Sequence, residues 1–132
     1  MAFPADFTNG ELISAARLNA VLDAINQGGG EGATVTATAG AATKSEPAVK
    51  ITSESLTTAA GSSYTLTLTN TLITVNSLVF ANAYLGTSTN GTPQVVNCTP
   101  ANGSVVIVVK NIHATNAFNG TIKIDFYALN TV

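Results

Sequence analysis

The chain has 132 residues and a net charge of −2, and 9% of its residues are charged, against about 25% in an ordinary soluble domain. Its hydrophobic fraction of 45% and its low net charge exclude charge-driven disorder, and its five Lys and Arg residues argue against electrostatic binding of nucleic acid. The sequence contains no run of about 18 apolar residues, so no membrane-spanning helix is predicted.

Residues 1–27 are predicted to form a short arm followed by one helix. Ser14 is a suitable N-cap residue, and the glycines at 28–30 would end the helix. The apolar side chains recur at the spacing of an a/d stripe: Ala15, Leu18, Leu22 and Ile25, flanked by Val21. Because a helix of about 13 residues is marginal in water, the stripe must be buried.

Two partners for this stripe remain open. It either packs within its own chain or forms a self-association surface that bundles three or more copies. The arm carries Phe3 and Phe7, which either pack on the helix or dock onto another protein. These seven residues form the predicted oligomer and anchor interface. Since Pro4 and Asp6 interrupt the early apolar cluster, no secretory signal is predicted, and synthesis in a cytoplasm is expected.

Residues 28–47 are predicted to form an extended linker. The segment is rich in Gly, Ala and Thr, and it has no large apolar residue beyond Val35. The stretch 34–38 could still pair as an edge strand.

Residues 48–132 are predicted to form a β-domain. Tyr64, Leu66 and Leu68 alternate with threonines, and turn residues separate seven or eight such segments. This pattern favours an antiparallel β-sandwich, jelly-roll-like or Greek-key in style. In the last segment, residues 122, 124 and 126 are expected to face the core. The run 105–109 is apolar on both faces and is expected to be a central strand that is covered on both sides.

Candidate catalytic residues are few. His113 is the only histidine and Cys98 the only cysteine, so the interpretation favoured for them is a polar loop residue and a structural thiol. Six of the seven acidic residues precede position 55, and no His, Cys or carboxylate pair has metal-ligand spacing. The sequence therefore predicts no catalytic residue, no metal, no cofactor and no enzymatic activity.

Two parts of the chain resemble bacteriophage virion proteins. The opening FPADFTNGELISAARLNAVLDAIN is similar to the N-terminal segment of phage fibre and virion-surface proteins. The stretches SSYTLTLTNTLITVNSLVF, GTPQVVNCTPANGSVVIVVKN and NAFNGTIKIDF are similar to small β-sandwich domains of phage structural proteins. The resemblance implies a capsid decoration, cement or head-fibre subunit located in the virion. Such a subunit is commonly a homotrimer that attaches by its N-terminal segment to the capsid or to another virion protein.

A second hypothesis is a tail-fibre or adsorption module that binds a glycan on the host surface. Sugar sites usually combine exposed aromatic rings with amide side chains. Of the three tyrosines, Tyr64 and Tyr127 are expected to pack in the core. Tyr84, close to the loop that contains Asn90, is therefore the predicted ligand residue.

Overall fold

The computed structural model describes residues 33–129, together with Ala16 and Leu18. The chain divides into one unit over Met1–Glu31 and a second over Gly32–Val132, which we call the β-unit. Most of the predicted oligomer and anchor interface lies outside the described residues: Phe3, Phe7, Ala15, Val21, Leu22 and Ile25. Leu18 is described, and its side chain is exposed.

The described part of the β-unit consists of eight strands, in agreement with the predicted mainly-β class. Buried and exposed side chains alternate along most of them, as a strand with one face on a core requires. The strands are β1 (Ala33–Thr36), β2 (Ala41–Thr43), β3 (Ala48–Thr52), β4 (Ser63–Thr69), β5 (Leu78–Leu85), β6 (Pro93–Ala101), β7 (Ser104–Asn111) and β8 (Ile122–Leu129).

The strands form two four-stranded sheets. Sheet A has the order β1-β3-β8-β5, and sheet B has the order β2-β4-β7-β6. Four of the strand pairings are antiparallel, but β1–β3 and β2–β4 are parallel, which differs from the predicted all-antiparallel arrangement. The reason is that β1 to β4 alternate between the sheets. Each crossing reverses the chain, so strands two apart run in the same direction.

One hydrophobic core joins the inner faces of both sheets. Ile122, Ile124 and Phe126 are buried, as the alternation in the last segment predicts. β7 is an inner strand of sheet B, which confirms its predicted central position. Its inward side chains are fully buried. Val106 and Val108 on the opposite face are only half-buried, so the predicted cover on both sides is incomplete.

The predicted linker differs from the structure over residues 33–47, which contain β1 and β2. The backbone of this segment is hydrogen-bonded to both sheets: Ala37 N donates to Thr52 O of β3 at 2.7 Å, and Lys44 N donates to Thr69 O of β4 at 3.0 Å. Ala37 and Ala42 are buried, because their small side chains fit where the edge strands cover the core. The possible edge strand at 34–38 is thus present in shifted form as β1.

Candidate functional site

The outer face of sheet A carries a group of exposed large apolar side chains. Along β5, the side chains at 79, 81, 83 and 85 pack against the core, so those at 78, 80, 82 and 84 point outward. Along β8, burial of the even-numbered residues turns 123, 125, 127 and 129 outward. We call the outward surface formed by Leu78, Phe80, Asn82, Tyr84, Asp125, Tyr127 and Leu129 the aromatic face.

The register of β5 and β8 pairs these side chains in rows. Phe80 lies opposite Tyr127, and Leu78 lies opposite Leu129, so two apolar rows are adjacent. The next row places Asn82 opposite Asp125, and Asp125 lies opposite Lys50 of β3 on its other side. The face therefore combines an apolar end with a row of polar and charged groups.

The aromatic side chains of this face are strongly exposed. Phe80 is 60% exposed, Tyr127 is 41% exposed and Tyr84 is 40% exposed. Single exposed apolar residues are normal on a protein surface, whereas a contiguous group of large ones marks an interaction site. The prediction that Tyr127 lies in the core is wrong. Tyr127 is two residues after Asp125 in β8, so both side chains point to the same, outward side of the sheet.

The polar row is organised around the carboxylate of Asp125. Lys50 Nζ lies 3.2 Å from Asp125 Oδ1, and the Tyr84 hydroxyl lies 3.5 Å from the same oxygen. The hydrogen bond and the charge of Asp125 raise the pKa of Lys50 above its usual value. Both partners of the ion pair are nearly half exposed, so its contribution to stability is small. Its main effect is to hold the carboxylate in place.

A shallow open depression lies between the two kinds of row. Its volume is about 210 Å³, and outward side chains line it at Phe80, Asn82, Asp125 and Tyr127. Aromatic carbon and a carboxylate thus border the same concave space. Sites for small molecules are typically concave and mostly apolar, with a few polar groups that fix orientation.

Hydrogen bonds to neighbouring residues hold the backbone of the predicted ligand loop at Asn90. The backbone N–H of Asn90 donates to Asn119 Oδ1 at 3.2 Å, and the Ser88 hydroxyl donates to the carbonyl of Asn90 at 2.8 Å. Tyr84 is instead positioned beside Asp125 on the aromatic face. Hydrogen bonds therefore tie Asn90 and Tyr84 to different partners and do not join them into one site.

His113 and Cys98 lie away from the aromatic face. His113 Nδ1 accepts hydrogen bonds from the backbone N–H groups of Thr115 and Asn116, at 3.1 and 2.9 Å, which orders the loop around it. Cys98 is half-buried against the core, and burial raises the pKa of its thiol. Among the described residues, no group of three or more His, Cys, Asp or Glu side chains is placed to hold a metal ion.

The sequence contained a signal for part of this face. The alternation of apolar residues along β8 predicts that Tyr127 lies on the same side of the strand as Lys123 and Asp125. Phe80 has a weaker signal, because the segment LVFANAYL is apolar on both faces. Its alternation of large residues with alanines indicates two different environments, but only the pairing with β8 shows which one faces solvent.

Comparison of the chain with protein-family models, with curated protein sequences and with solved structures finds no match. Among the described residues, no helix has both the length and the apolar character needed to cross a membrane.

Proposed function

We propose that the chain is a non-enzymatic structural protein of a bacteriophage virion, a capsid decoration, cement or head-fibre subunit. Its N-terminal segment attaches to the particle and joins three copies, and its β-unit is displayed outward. The observation that carries this proposal is the division of the chain between Glu31 and Gly32 into two separate units. A display protein can use such a division, with attachment assigned to one unit and display to the other.

The topology of the β-unit supports a jelly-roll-like assignment within this proposal. β3 pairs with β8 and β4 pairs with β7, so the pairings are nested along the chain. The next two strands inward, β5 and β6, lie at the same side of the two sheets and approach each other. Nested pairs that wrap around one core are typical of small sandwich domains with display or structural roles.

A second function is favoured by the exposure of Phe80, Tyr84 and Tyr127. An adsorption module that binds a glycan on the host surface would require such aromatic groups on an outward face. In this case the protein would be a tail-fibre or receptor-binding component, with the same separation of anchor and β-unit.

The position of the protein in the particle tests both functions. A tag added after Val132 can be labelled with gold and located in electron micrographs of intact virions. Label over the head is expected for a decoration or head-fibre subunit. Label at the tail would instead support the adsorption function. If virions carry no label although a tagged known capsid protein is detected, both functions are refuted.

The oligomeric state gives an independent test of the N-terminal segment. Analytical ultracentrifugation of the full chain is expected to show a trimer that dissociates when Leu22→Asp places a charge in the apolar stripe. Asn19→Asp introduces the same charge on the polar side of the predicted helix and should leave the trimer intact. A monomer of 13.4 kDa for the wild type would contradict the proposed trimer.

A further inference from the structure

The geometry of the aromatic face points to a saccharide-binding site in the depression bordered by Phe80, Tyr127, Asn82 and Asp125. The inference deepens the proposed function, because it names what a displayed β-unit would bind. It differs from the ligand site predicted from the sequence, since it places the sugar over β5 and β8 and not at the loop that contains Asn90.

The apolar part of the site matches one face of a sugar ring. A pyranose carries axial C–H groups on its faces and hydroxyl groups around its rim, so it binds best where aromatic carbon lies beside hydrogen-bonding groups. Phe80 and Tyr127 are paired across β5 and β8, and both are well exposed. Aromatic side chains with few rotatable bonds provide this contact area at a low entropic cost.

The polar part of the site matches the rim of hydroxyls. Asp125 Oδ1 faces Lys50 and Tyr84, and within the described residues no hydrogen bond reaches Asp125 Oδ2. The side-chain amide of Asn82, directly opposite, likewise has no hydrogen bond to any described residue. One carboxylate oxygen and one amide therefore offer acceptors and donors for two neighbouring hydroxyls, and Lys50 keeps the carboxylate oriented.

Other ligands fit this chemistry less well. A nucleic acid would place phosphates near Asp125, while Lys50 is already paired with that carboxylate. A second copy of the chain would have to bury the Lys50–Asp125 ion pair, whereas the centres of protein interfaces are depleted of charged residues. A neutral ligand with its own hydroxyls avoids both costs, because it leaves the ion pair hydrated at its edge.

The test is an NMR titration of the full-length, isotopically labelled protein with separate monosaccharides. The probes are N-acetyl-D-glucosamine, D-galactose, D-glucose and L-rhamnose, each to about 100 mM, because a shallow site with few contacts gives dissociation constants in the millimolar range. At least one sugar is expected to shift the backbone amide signals of residues 80–82 and 125–127. Signals of sheet B are expected to stay unchanged.

Variants assign the effect to the two halves of the site. Phe80→Ala is expected to weaken binding about tenfold through loss of the aromatic platform, and Asp125→Asn is expected to weaken it several-fold. Val96→Ala, which truncates a 51% exposed apolar side chain in sheet B, is the matched control and should bind as the wild type does. If Phe80→Ala does not fold, Tyr127→Ser tests the same platform.

Three results would overturn the inference: no shifts with any of the four sugars, shifts confined to other parts of the chain, or unchanged binding in both Phe80→Ala and Asp125→Asn. A fourth is dilution-dependent shifts at residues 80–82 without sugar, which would assign the face to a second copy of the chain. The proposed virion function would survive each of them, since it depends on the location of the protein in the particle. Sugar binding by a protein that virions lack would leave this inference standing and refute the virion function.

Discussion

Asn111 is the buried polar side chain on which the loops at one end of the β-unit depend most. It is 0% exposed, and its Oδ1 accepts hydrogen bonds from the N–H groups of Thr92 and His113 at 3.0 and 3.1 Å. Its Nδ2 donates to the carbonyls of Thr58 and Asn116 at 3.1 and 2.8 Å. One amide thus joins three separate loops, and Asn111→Ala removes all four hydrogen bonds together.

The expected cost follows from these partners. A hydrogen bond contributes about 1 kcal/mol net, and a partner left unsatisfied costs about 1–3 kcal/mol when it is buried. The Thr58 carbonyl keeps a second donor, the N–H of Phe118 at 3.0 Å. Thr92 and Asn116 are exposed residues, so the N–H of Thr92 and the carbonyl of Asn116 can bind water instead. We therefore expect Asn111→Ala to lower the free energy of unfolding by about 2–4 kcal/mol.

Urea unfolding followed by circular dichroism measures this loss. The midpoint urea concentration should fall. The slope of the free energy of unfolding against urea concentration should stay constant, because the same surface is exposed on unfolding. Asn82→Ala is the matched control: the outward side chain of this asparagine makes no hydrogen bond to any described residue, so its substitution should change stability by less than about 0.5 kcal/mol. Equal midpoints for the two variants would refute the role given to Asn111.

Two further predictions concern stability. Tyr64→Phe removes the 2.7 Å hydrogen bond from the Tyr64 hydroxyl to Glu54 and should cost about 1–2 kcal/mol at neutral pH. Burial, and then Glu54, raises the pKa of Tyr64 far above 10, so the unfolded state loses this proton first and stability should fall as pH rises through about 10. Unfolding midpoints measured from pH 8 to 11 should decline less steeply in Tyr64→Phe than in the wild type. Parallel declines would contradict the assignment of this pH dependence to Tyr64. Gly91 has a φ of 89°, and a Cβ added there would also clash with the ring of Phe118. Gly103 has a similar φ of 82° but open space around it. Gly91→Ala should therefore lower the thermal midpoint more than Gly103→Ala does. Equal midpoints would show that the contact with the ring has no effect.

The strands of the β-unit could be predicted from local pattern where one face is polar. Along β4 every second residue is Ser or Thr, and along β8 Lys123 and Asp125 mark the outer face, so the side that enters the core is fixed by the period of two. The pattern gives no register between distant strands. The pairing of Phe80 with Tyr127, on which the candidate site depends, joins residues that are far apart in the sequence.

The two short strands β1 and β2 were harder to predict, because their apolar residues are small: Val35 is the only large one. A segment of Ala, Thr and Gly is compatible with a linker, and its strand structure depends on partners supplied by β3 and β4. A carboxylate from the chain outside the segment also fixes its turn, since Glu54 Oε1 accepts from the N–H of Gly40 at 2.8 Å. Tertiary contacts of this kind leave no local trace in the composition.

The high content of amide and hydroxyl side chains has a structural reason beyond solubility. Asn119 Oδ1 accepts hydrogen bonds from the backbone N–H groups of Thr89 and Asn90. The amide of Asn70 donates to the carbonyl of Glu46 and accepts from the N–H of Leu72. Like Asn111, these side chains satisfy loop backbone groups that have no partner in the sheets. At the buried positions of Asn70 and Asn111, a charged group would need a buried counter-ion, whereas an amide donates and accepts at once. Amides at these positions contribute to the low charge of the β-unit, in which Asp125 of the aromatic face pairs with Lys50 of the neighbouring β3.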